Sequence, residues 1–495
     1  MNVIAERSKS LWLSTAQLEN FPPLQGDDEA DAVIVGGGMT ARTTAHLASE
    51  FDDFYRELIR TRGLEQAQQA FASHAAAIAR IEYIQQEEGI DCDFQRLDGY
   101  LFLAPDSDPS ELDEEMDAAH QVGLAATWVE RAPLSGVDTG RSLCFPGQGR
   151  FHPLKYLNGL VRCIRARKGR LHGDTCVASI EEKDGGVLIK TESGATIRAR
   201  AAAVTTNSPI NDRLAIHTKQ APYRTYVIAG RIPSGAVTDA LYWDTHDPYH
   251  YVRLQPGDRD GDFLISGGED HKSGEADDMA ERFERLEKWT RRRFPELGAL
   301  THGWSGQVME PVDGAAFIGR NPGNTNVYVA TGDSGQGMTH GVIAGMLLRD
   351  LILDRSNPWT ELYDPGRAAM SAVGEFIREN ISMVQNLPEY LGPGEVESVD
   401  ELKPGQGALI RSGLKKIAAY RDADGRLHAR SAVCTHMGCI VHWNSFEQCW
   451  DCPCHGSQFA MDGTAINGPA VRPLGEAEIE DAQGEELVGG REGHR

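Results

Sequence analysis

Two short segments hold the residues with the most definite chemistry. Cys434-Thr435-His436 is followed, after 15 residues, by Cys452-Pro453-Cys454-His455. Two thiols and two imidazoles carried on two loops suit a [2Fe–2S] centre in which imidazole replaces thiolate on one iron. Neutral imidazole leaves that iron less negatively surrounded, so it is reduced more easily than one held by thiolates alone. Zinc is the competing chemistry, but zinc pairs are usually C-x₂₋₄-C, and C-x-H is too tight for that pattern.

A second kind of chemistry is carried by glycines. Gly36-Gly37-Gly38-Met39-Thr40-Ala41 follows the β-branched run of DAVIVGGG (31–38) and fits G-x-G-x-x-G/A. Such a turn lets a pyrophosphate approach backbone N–H groups. Taken by itself the motif is weak. Asn326 to Thr339 reads as strand, glycine loop and helix start, with Gly332, Ser334, Gly335, Gly337, Met338 and Thr339 at the turn. It would offer bare N–H groups and a positive dipole end to an anionic ring edge. An anionic substrate would want a planar, forked cation. Arg253 in YHYVRL is the candidate, with Tyr249, Tyr251 and His271 in the same hairpin pair.

These residues need elements to hold them. Residues 31–38 read as a buried strand entering a tight turn. Residues 42–89 and 111–123 read as helices, 99–105 as a strand, and 177–206 as an alternating β-meander. A hairpin pair follows at 249–269, then a helix with i, i+4 charge pairs at 276–297. Residues 326–352 give strand, loop and apolar helix. The Pro- and Gly-rich stretch 388–407 reads as a linker, and short turn-rich segments follow it.

The composition is that of a folded globular protein. The chain has 495 residues, 40% hydrophobic and 25% charged, which suggests about three domains. The formal charge is −24, and a surface this negative repels phosphate backbones, so no nucleic-acid partner is expected. No window reaches the ~18 apolar residues of a membrane span. The first residues lack a signal-peptide pattern, so a cytoplasmic protein is expected. Five of the nine cysteines fall within 434–454, a metal-site distribution and not a secreted disulfide framework. Cys449 is outside the ligand pattern, and Cys92, Cys144, Cys163 and Cys176 read as small buried hydrophobes.

The two cysteine–histidine segments closely resemble the two boxes of Rieske proteins. The resemblance places Cys434 and Cys452 on one iron, His436 and His455 on the other, and pairs Cys439 with Cys454 as a disulfide. It gives Ser457 a hydrogen bond to a cluster sulfide and makes Asn467–Ala470 a loop over the cluster. Phe459 stands where high-potential members carry a Tyr, which implies a somewhat lower potential. Residues 11–385 resemble the D-amino-acid oxidase-like FAD-dependent oxidoreductases. The resemblance rests on VIVGGGMT, RTTAHLASEFD (42–52), TCVASI (175–180), VTTNSP (204–209), SGGEDH (266–271), GWSGQVMEPVDGAAFIGR (303–320) and ATGDSGQGMTHG (330–341). A branch of that family carries a C-terminal Rieske domain.

The resemblance implies an α/β FAD-binding domain with a mixed-sheet substrate domain, followed by a small all-β Rieske domain. Residues 1–387 would form the first part, its substrate portion mainly about 80–175 and 215–300; 388–407 the linker; 408–490 the Rieske domain. Gly36, Gly38, Thr43, Thr44, Val177, Trp304, Gly306, Gly332, Ser334, Gly335, Gly337, Met338 and Thr339 would contact FAD, with Val177 at the adenine end. Arg253, Tyr251 and His271 would face a small-molecule amine or amino acid, whose C–N bond is oxidised. Electrons would pass from FAD through the cluster to an external acceptor. The alternative is a Rieske electron carrier whose flavin half is not catalytic. A Rieske oxygenase would need two His and a carboxylate for mononuclear iron, and His46, His74 and His120 show no such grouping.

The chain departs from the family at one place. After the glycine turn the family has a helix, a second strand and an acidic residue for the ribose. Here Ala41-Arg42-Thr43-Thr44-Ala45-His46 follows at once, so roughly 30 residues of a βαβ unit are missing. A shortened gene reading, a deletion that abolishes FAD binding, and compensation by neighbouring segments are all open. Glu50, Asp52 and Asp53 read as a solvated helix face.

Overall fold

The computed structural model describes residues 8–36, 39–134, 136–211, 216–367, 388–390, 392–480 and 486–487. Two large sheets make the first part. One has the order Phe317–Arg320, Val327–Thr331, Thr196–Val204, Gly186–Thr191, Val177–Lys183, and Asp28–Val35 pairs parallel with Thr196–Val204. The other is nine-stranded and mixed, built around Gln220–Ile232, Tyr251–Asp258, Gly261–Lys272 and Leu300–Pro311. The strands Gln95–Phe102 and Ser142–Arg150 extend it. The meander, the hairpin pair and the strand–loop–helix of the sequence reading are all present.

The first strand ends at Val35, ahead of the glycines. At Gly36 (φ +132°) an added Cβ would lie 2.3 Å from the Thr205 carbonyl, so the two parallel strands close up there. Where a helix is expected from residue 42, the chain instead makes a four-residue 3₁₀ turn, Met39–Arg42, and crosses directly to the other sheet. His46–Leu47 pairs there with Gly149 and Arg150. Helices begin only at Tyr55–Arg62 and Leu64–Glu87, divided at Gly63 (φ +84°). Periodicity alone ran these pieces together because the apolar spacing continues across breaks that backbone conformation imposes. Ala45 and Phe54 both adopt positive φ.

The shortcut leaves marks. Among the described residues the Asp28–Val35 strand pairs on one edge alone, and Ile34 is 73% exposed. On the helix Gly337–Ile352, an added Cβ at Gly341 or Gly345 would meet nothing within 4 Å. Ile34, Gly341 and Gly345 all line one cavity.

The C-terminal part has a three-stranded sheet (Gln406–Ser412, Lys415–Arg421, Leu427–Ser431) and a four-stranded one (His442–Asn444, Cys449–Asp451, Gln458–Ala460, Ala465–Asn467). Glu395 and Val396 lie along Leu409 and Ile410. Among the described residues no helix is long and apolar enough to cross a membrane.

Buried polar contacts join the two parts. The Glu447 carboxylate accepts hydrogen bonds from Arg42 Nη1 (2.8 Å), Ser305 Oγ (2.7 Å), Ser8 Oγ (2.6 Å) and the Ser8 N–H (3.1 Å). Arg224 donates to both Asp451 oxygens at 3.1 and 3.0 Å, and to Ser305 Oγ at 2.7 Å. Asp277 accepts from Ser445, and Phe283 packs on Phe446 with ring centroids 4.6 Å apart. The pairs Arg42–Glu447 and Arg224–Asp451 are almost solvent-free. Such pairs add little over an apolar substitute, but breaking one strands a charge.

Glu447→Ala is expected to destabilise the protein by about 3–5 kcal/mol, read by chemical unfolding. Burial alone would raise the Glu447 pKa, but Arg42 and Arg224, with the Ser8 and Ser305 hydroxyls, hold it below the usual carboxylate range. Its stabilisation is therefore present above the ordinary glutamate pKa and is lost as pH falls through the lowered folded value. An unchanged acid-unfolding profile in the variant would contradict this.

Candidate functional site

The two cysteine–histidine loops fold back on themselves before they meet. Cys434 N–H donates to Cys439 O (2.8 Å), and Cys452 N–H to Ser457 O (2.8 Å). Gly438 (φ +87°) and Gly456 (φ +78°) permit those turns. The loops are tied by the disulfide Cys439–Cys454. Cys434 and Cys452 are 3% and 1% exposed, and their thiols hydrogen-bond each other. Ser457 also hydrogen-bonds Cys434, and its oxygen accepts from the Ala470 N–H at 3.0 Å, so the Asn467–Ala470 loop lies over the pair. The His436 and His455 rings are 5.0 Å apart. Burial, then His217 and His436, pushes the His455 pKa down to about 3, which keeps the neutral form a metal ligand requires. Two thiols and two imidazoles at one buried spot fit a [2Fe–2S] cluster. Phe459 is fully buried behind the loops.

The other feature is a cavity of about 1300 Å³ between the two large sheets. Thr43, Thr44, Gly306, Gly335, Gly337 and Met338 line it. The glycine loop and the N-terminus of the helix Gly337–Ile352 meet it at one end. Gly332, Ser334 and Thr339 stand behind that surface and shape it. An added Cβ at Gly332 would meet Pro311 at 2.8 Å, Ser334 Oγ donates to Glu310 at 2.6 Å, and Thr339 Oγ donates to Gln336 O at 2.9 Å. Trp304 is fully buried and donates from Nε1 to Arg42 O at 2.9 Å, steadying the segment before Thr43. Val177 and Gly36 do not line the cavity, and Gly38 lies outside the described residues. The residues present fit the ring end of FAD. At the pyrophosphate end a 3₁₀ turn stands where the family has a helix N-terminus, and among the described residues no second strand brings a carboxylate for the ribose.

The expected substrate residues divide. Tyr251 lines the cavity and its hydroxyl pairs with Thr225 Oγ1 at 2.8 Å; Tyr249 lines it and donates to Asp52 Oδ1 at 2.7 Å. Arg253 is not at the cavity wall. It is fully buried, lies 5.1 Å from the Trp12 ring centroid, and donates to Gln255 Oε1 at 2.8 Å. Burial, with Arg150 beside it, lowers its pKa to about 9. His271 also faces elsewhere, its Nε2 2.8 Å from the Tyr226 hydroxyl. The strand pattern placed these residues on one hairpin but carried no information on how deep each lies.

Carboxylates take the place expected of an arginine. Glu50, Asp52, Asp53, Asp270, Glu310 and Asp333 line the cavity. Glu50, read from sequence as solvated, is 5% exposed, and Asp52 holds Tyr249. No helix spans 48–54, and of Glu50, Asp52 and Asp53 only Asp53 is exposed as expected. Burial raises Asp270 to about 7 and Asp333 to about 6, and pushes Glu50, Asp52 and Glu310 well above the usual range, the neighbouring carboxylates adding to the last three. The cavity's arginines are engaged: Arg42 with Glu447, Arg56 with Glu111, Arg60 with Glu57 and Arg349 with Asp350.

Sequence reasoning missed the residues that join the two sites. His217 is 2% exposed, with its ring 4.8 Å from His436 and 5.4 Å from His455. Gln307 lines the cavity and donates from Nε2 to Gly456 O at 3.1 Å. Neither belongs to a motif; both acquire their meaning from residues more than 140 positions away.

Comparison with known proteins agrees with this geometry. The family described as DAO, FAD dependent oxidoreductase, matches residues 30–351, and the Rieske [2Fe-2S] domain matches 393–478. A Bacillus subtilis (strain 168) chain, YhfW, described as a Rieske 2Fe-2S iron-sulfur protein, is 28% identical over 509 aligned positions, 96% of this chain and 98% of its own. Those positions outnumber the 495 residues here, so the relative has residues with no counterpart in this chain. The cytochrome b6-f complex iron-sulfur subunit of Chlorobaculum tepidum is 32% identical over 117 residues, 22% of this chain and 65% of its own. Among solved structures, glycine oxidase from Geobacillus kaustophilus superposes with a TM-score of 0.53 at 18% identity, covering 69% of this chain and 99% of that one. L-Amino acid deaminase from Proteus myxofaciens gives 0.56 at 14%, covering 72% and 97%. These superpositions speak for the fold.

Cys434→Ser and Cys452→Ser are each expected to abolish bound iron and its visible absorption. Cys449→Ser, at a buried cysteine outside the ligand set, is expected to keep both. Iron retained by the first two would refute the ligand assignment.

Proposed function

We infer the function from the premise that the chain belongs to the FAD dependent oxidoreductase family, with a Rieske [2Fe–2S] domain as its second part. The reading supported best is oxidation of the C–N bond of a small cationic amine. The observation that carries it is the acid-lined cavity. An amino acid's carboxylate would find no uncommitted arginine there among the described residues, whereas an ammonium group would find Asp52, Asp270, Glu310 and Asp333. Buried charges need partners, and an amine cation supplies one.

FAD, when bound, supplies the two-electron acceptor for such a reaction. Thr43, Thr44, Gly306, Gly335, Gly337 and Met338 are the residues that would hold its ring. The protein's own work is to place the amine. Tyr249 fixes Asp52, Thr225 fixes Tyr251, and the two aromatic rings, 5.4 Å apart, wall the same end. Asp270 and Asp333, with pKa values near neutrality, can take up the proton the ammonium must lose before it is oxidised. An iron–sulfur centre carries electrons singly, so two equivalents of an external one-electron acceptor would take up the two electrons of each amine oxidised.

A second reading is favoured by the unpaired edge of the Asp28–Val35 strand and the 3₁₀ turn after it. In that reading the chain binds a cluster and no flavin, and carries electrons without oxidising an amine.

Iron and flavin measured on one anaerobic sample separate the two. The first reading expects two irons and one flavin per chain; two irons with no flavin after FAD is added leave the second. If flavin is present, simple amines are expected to bleach it in stopped flow where amino acids do not. The apparent KM for the amine is expected to fall as pH rises through about 6 to 7, because Asp333 and Asp270 then ionise. A KM flat across that window would argue against carboxylate recognition.

A further inference from the structure

The cluster loops and the cavity are separated by a single layer of side chains. Gln307 faces the cavity and donates at 3.1 Å to Gly456 O, the carbonyl next to His455. Thr206 and Asn207 face the cavity, and Ser208 after them places its hydroxyl 3.2 Å from His455 O and 3.4 Å from His217 Nδ1. His217 closes the arrangement. Its ring and those of His436 and His455 form a triangle with centroids 4.8, 5.4 and 5.0 Å apart. All three contacts come from the oxidoreductase part, so the imidazole edge of the cluster site points into that part. Arg42–Glu447 and Arg224–Asp451, joined through Ser305, fix the orientation.

We propose that His217 is the positioning residue that seals the imidazole edge of the cluster site against the oxidoreductase part. It keeps the cluster coupled to the cavity through the Gln307–Ser208 layer and closes the same edge to outside electron acceptors. The inference rests on the presence of a cluster and is independent of whether an amine is the substrate. His217 is not a ligand in this assignment, since the thiol and imidazole set is complete without it.

The test uses the full-length, iron-loaded protein and its His217→Ala and His217→Phe variants. Iron per chain is counted first; wild type without iron refutes the cluster reading and overturns this proposal with it. With the cluster reduced by dithionite, ferricyanide is added and the return of cluster absorption is timed, one electron passing from each reduced cluster to one ferricyanide. Opening the edge in His217→Ala is expected to speed this reoxidation about tenfold, which corresponds to ~1.4 kcal/mol of barrier. Amide hydrogens of 434–439 and 452–457 are expected to exchange faster in the same variant. His217→Phe keeps a ring in the triangle and is expected to restore slow reoxidation and slow exchange. If alanine costs the protein its iron, the phenylalanine variant and Ser208→Ala are read against wild type by the same two measurements. Iron-loaded His217→Ala with wild-type reoxidation and exchange overturns the proposal, as does His217→Phe behaving like the alanine variant.

Discussion

A buried carboxylate from one part of the chain holds the other part in place. Glu447 sits on a turn between two short strands of the cluster-bearing part, and the groups it accepts from, Ser8, Arg42 and Ser305, lie some 140 to 440 residues away. With Arg224–Asp451 beside it, the contact is polar and almost dry. Apolar contacts tolerate sliding, whereas a charge with several short hydrogen bonds has few acceptable placements. That rigidity is what allows distances between the cavity and the cluster loops to have meaning. The same arginine also opens the segment that carries Thr43 and Thr44, so docking and the cavity wall share a residue.

The cavity follows from a different constraint. Two sheets meet over a space whose lining includes more acids than the arginines available to neutralise them. Carboxyl groups so placed are neutral or wait for a cation. The raised pKa values and the hydroxyls of Tyr249 and Ser334 that cap Asp52 and Glu310 describe the same compromise.

Much of this was legible in the sequence, and the reasons are local. Cys434, His436, Cys452 and His455 were readable because a cluster is bound by short loops whose ligands are close in sequence. The glycine loop at 332–337 was readable because a tight turn demands particular residues. The depth of Arg253, the burial of Glu50 and the place of His217 beside His436 and His455 were not readable. Each depends on what another part of the chain brings near it. Alternation told which residues share a strand face but not that Trp12 covers Arg253. The helix expected from residue 42 failed because its apolar spacing continues through residues that take positive φ.

The strand Asp28–Val35 has one more consequence. Its outer edge offers backbone groups unpaired among the described residues, and such an edge invites another strand. The first half carries Asp28, Glu29 and Asp31, two of them tied by Arg170 and Arg200, and like charges there discourage a second copy from adding in register. The second half ends in Ala32, Val33 and Ile34 and has no such protection. That half of the edge is where another strand would meet the least resistance. The chain's formal charge of −24 opposes such association by repulsion between like-charged molecules.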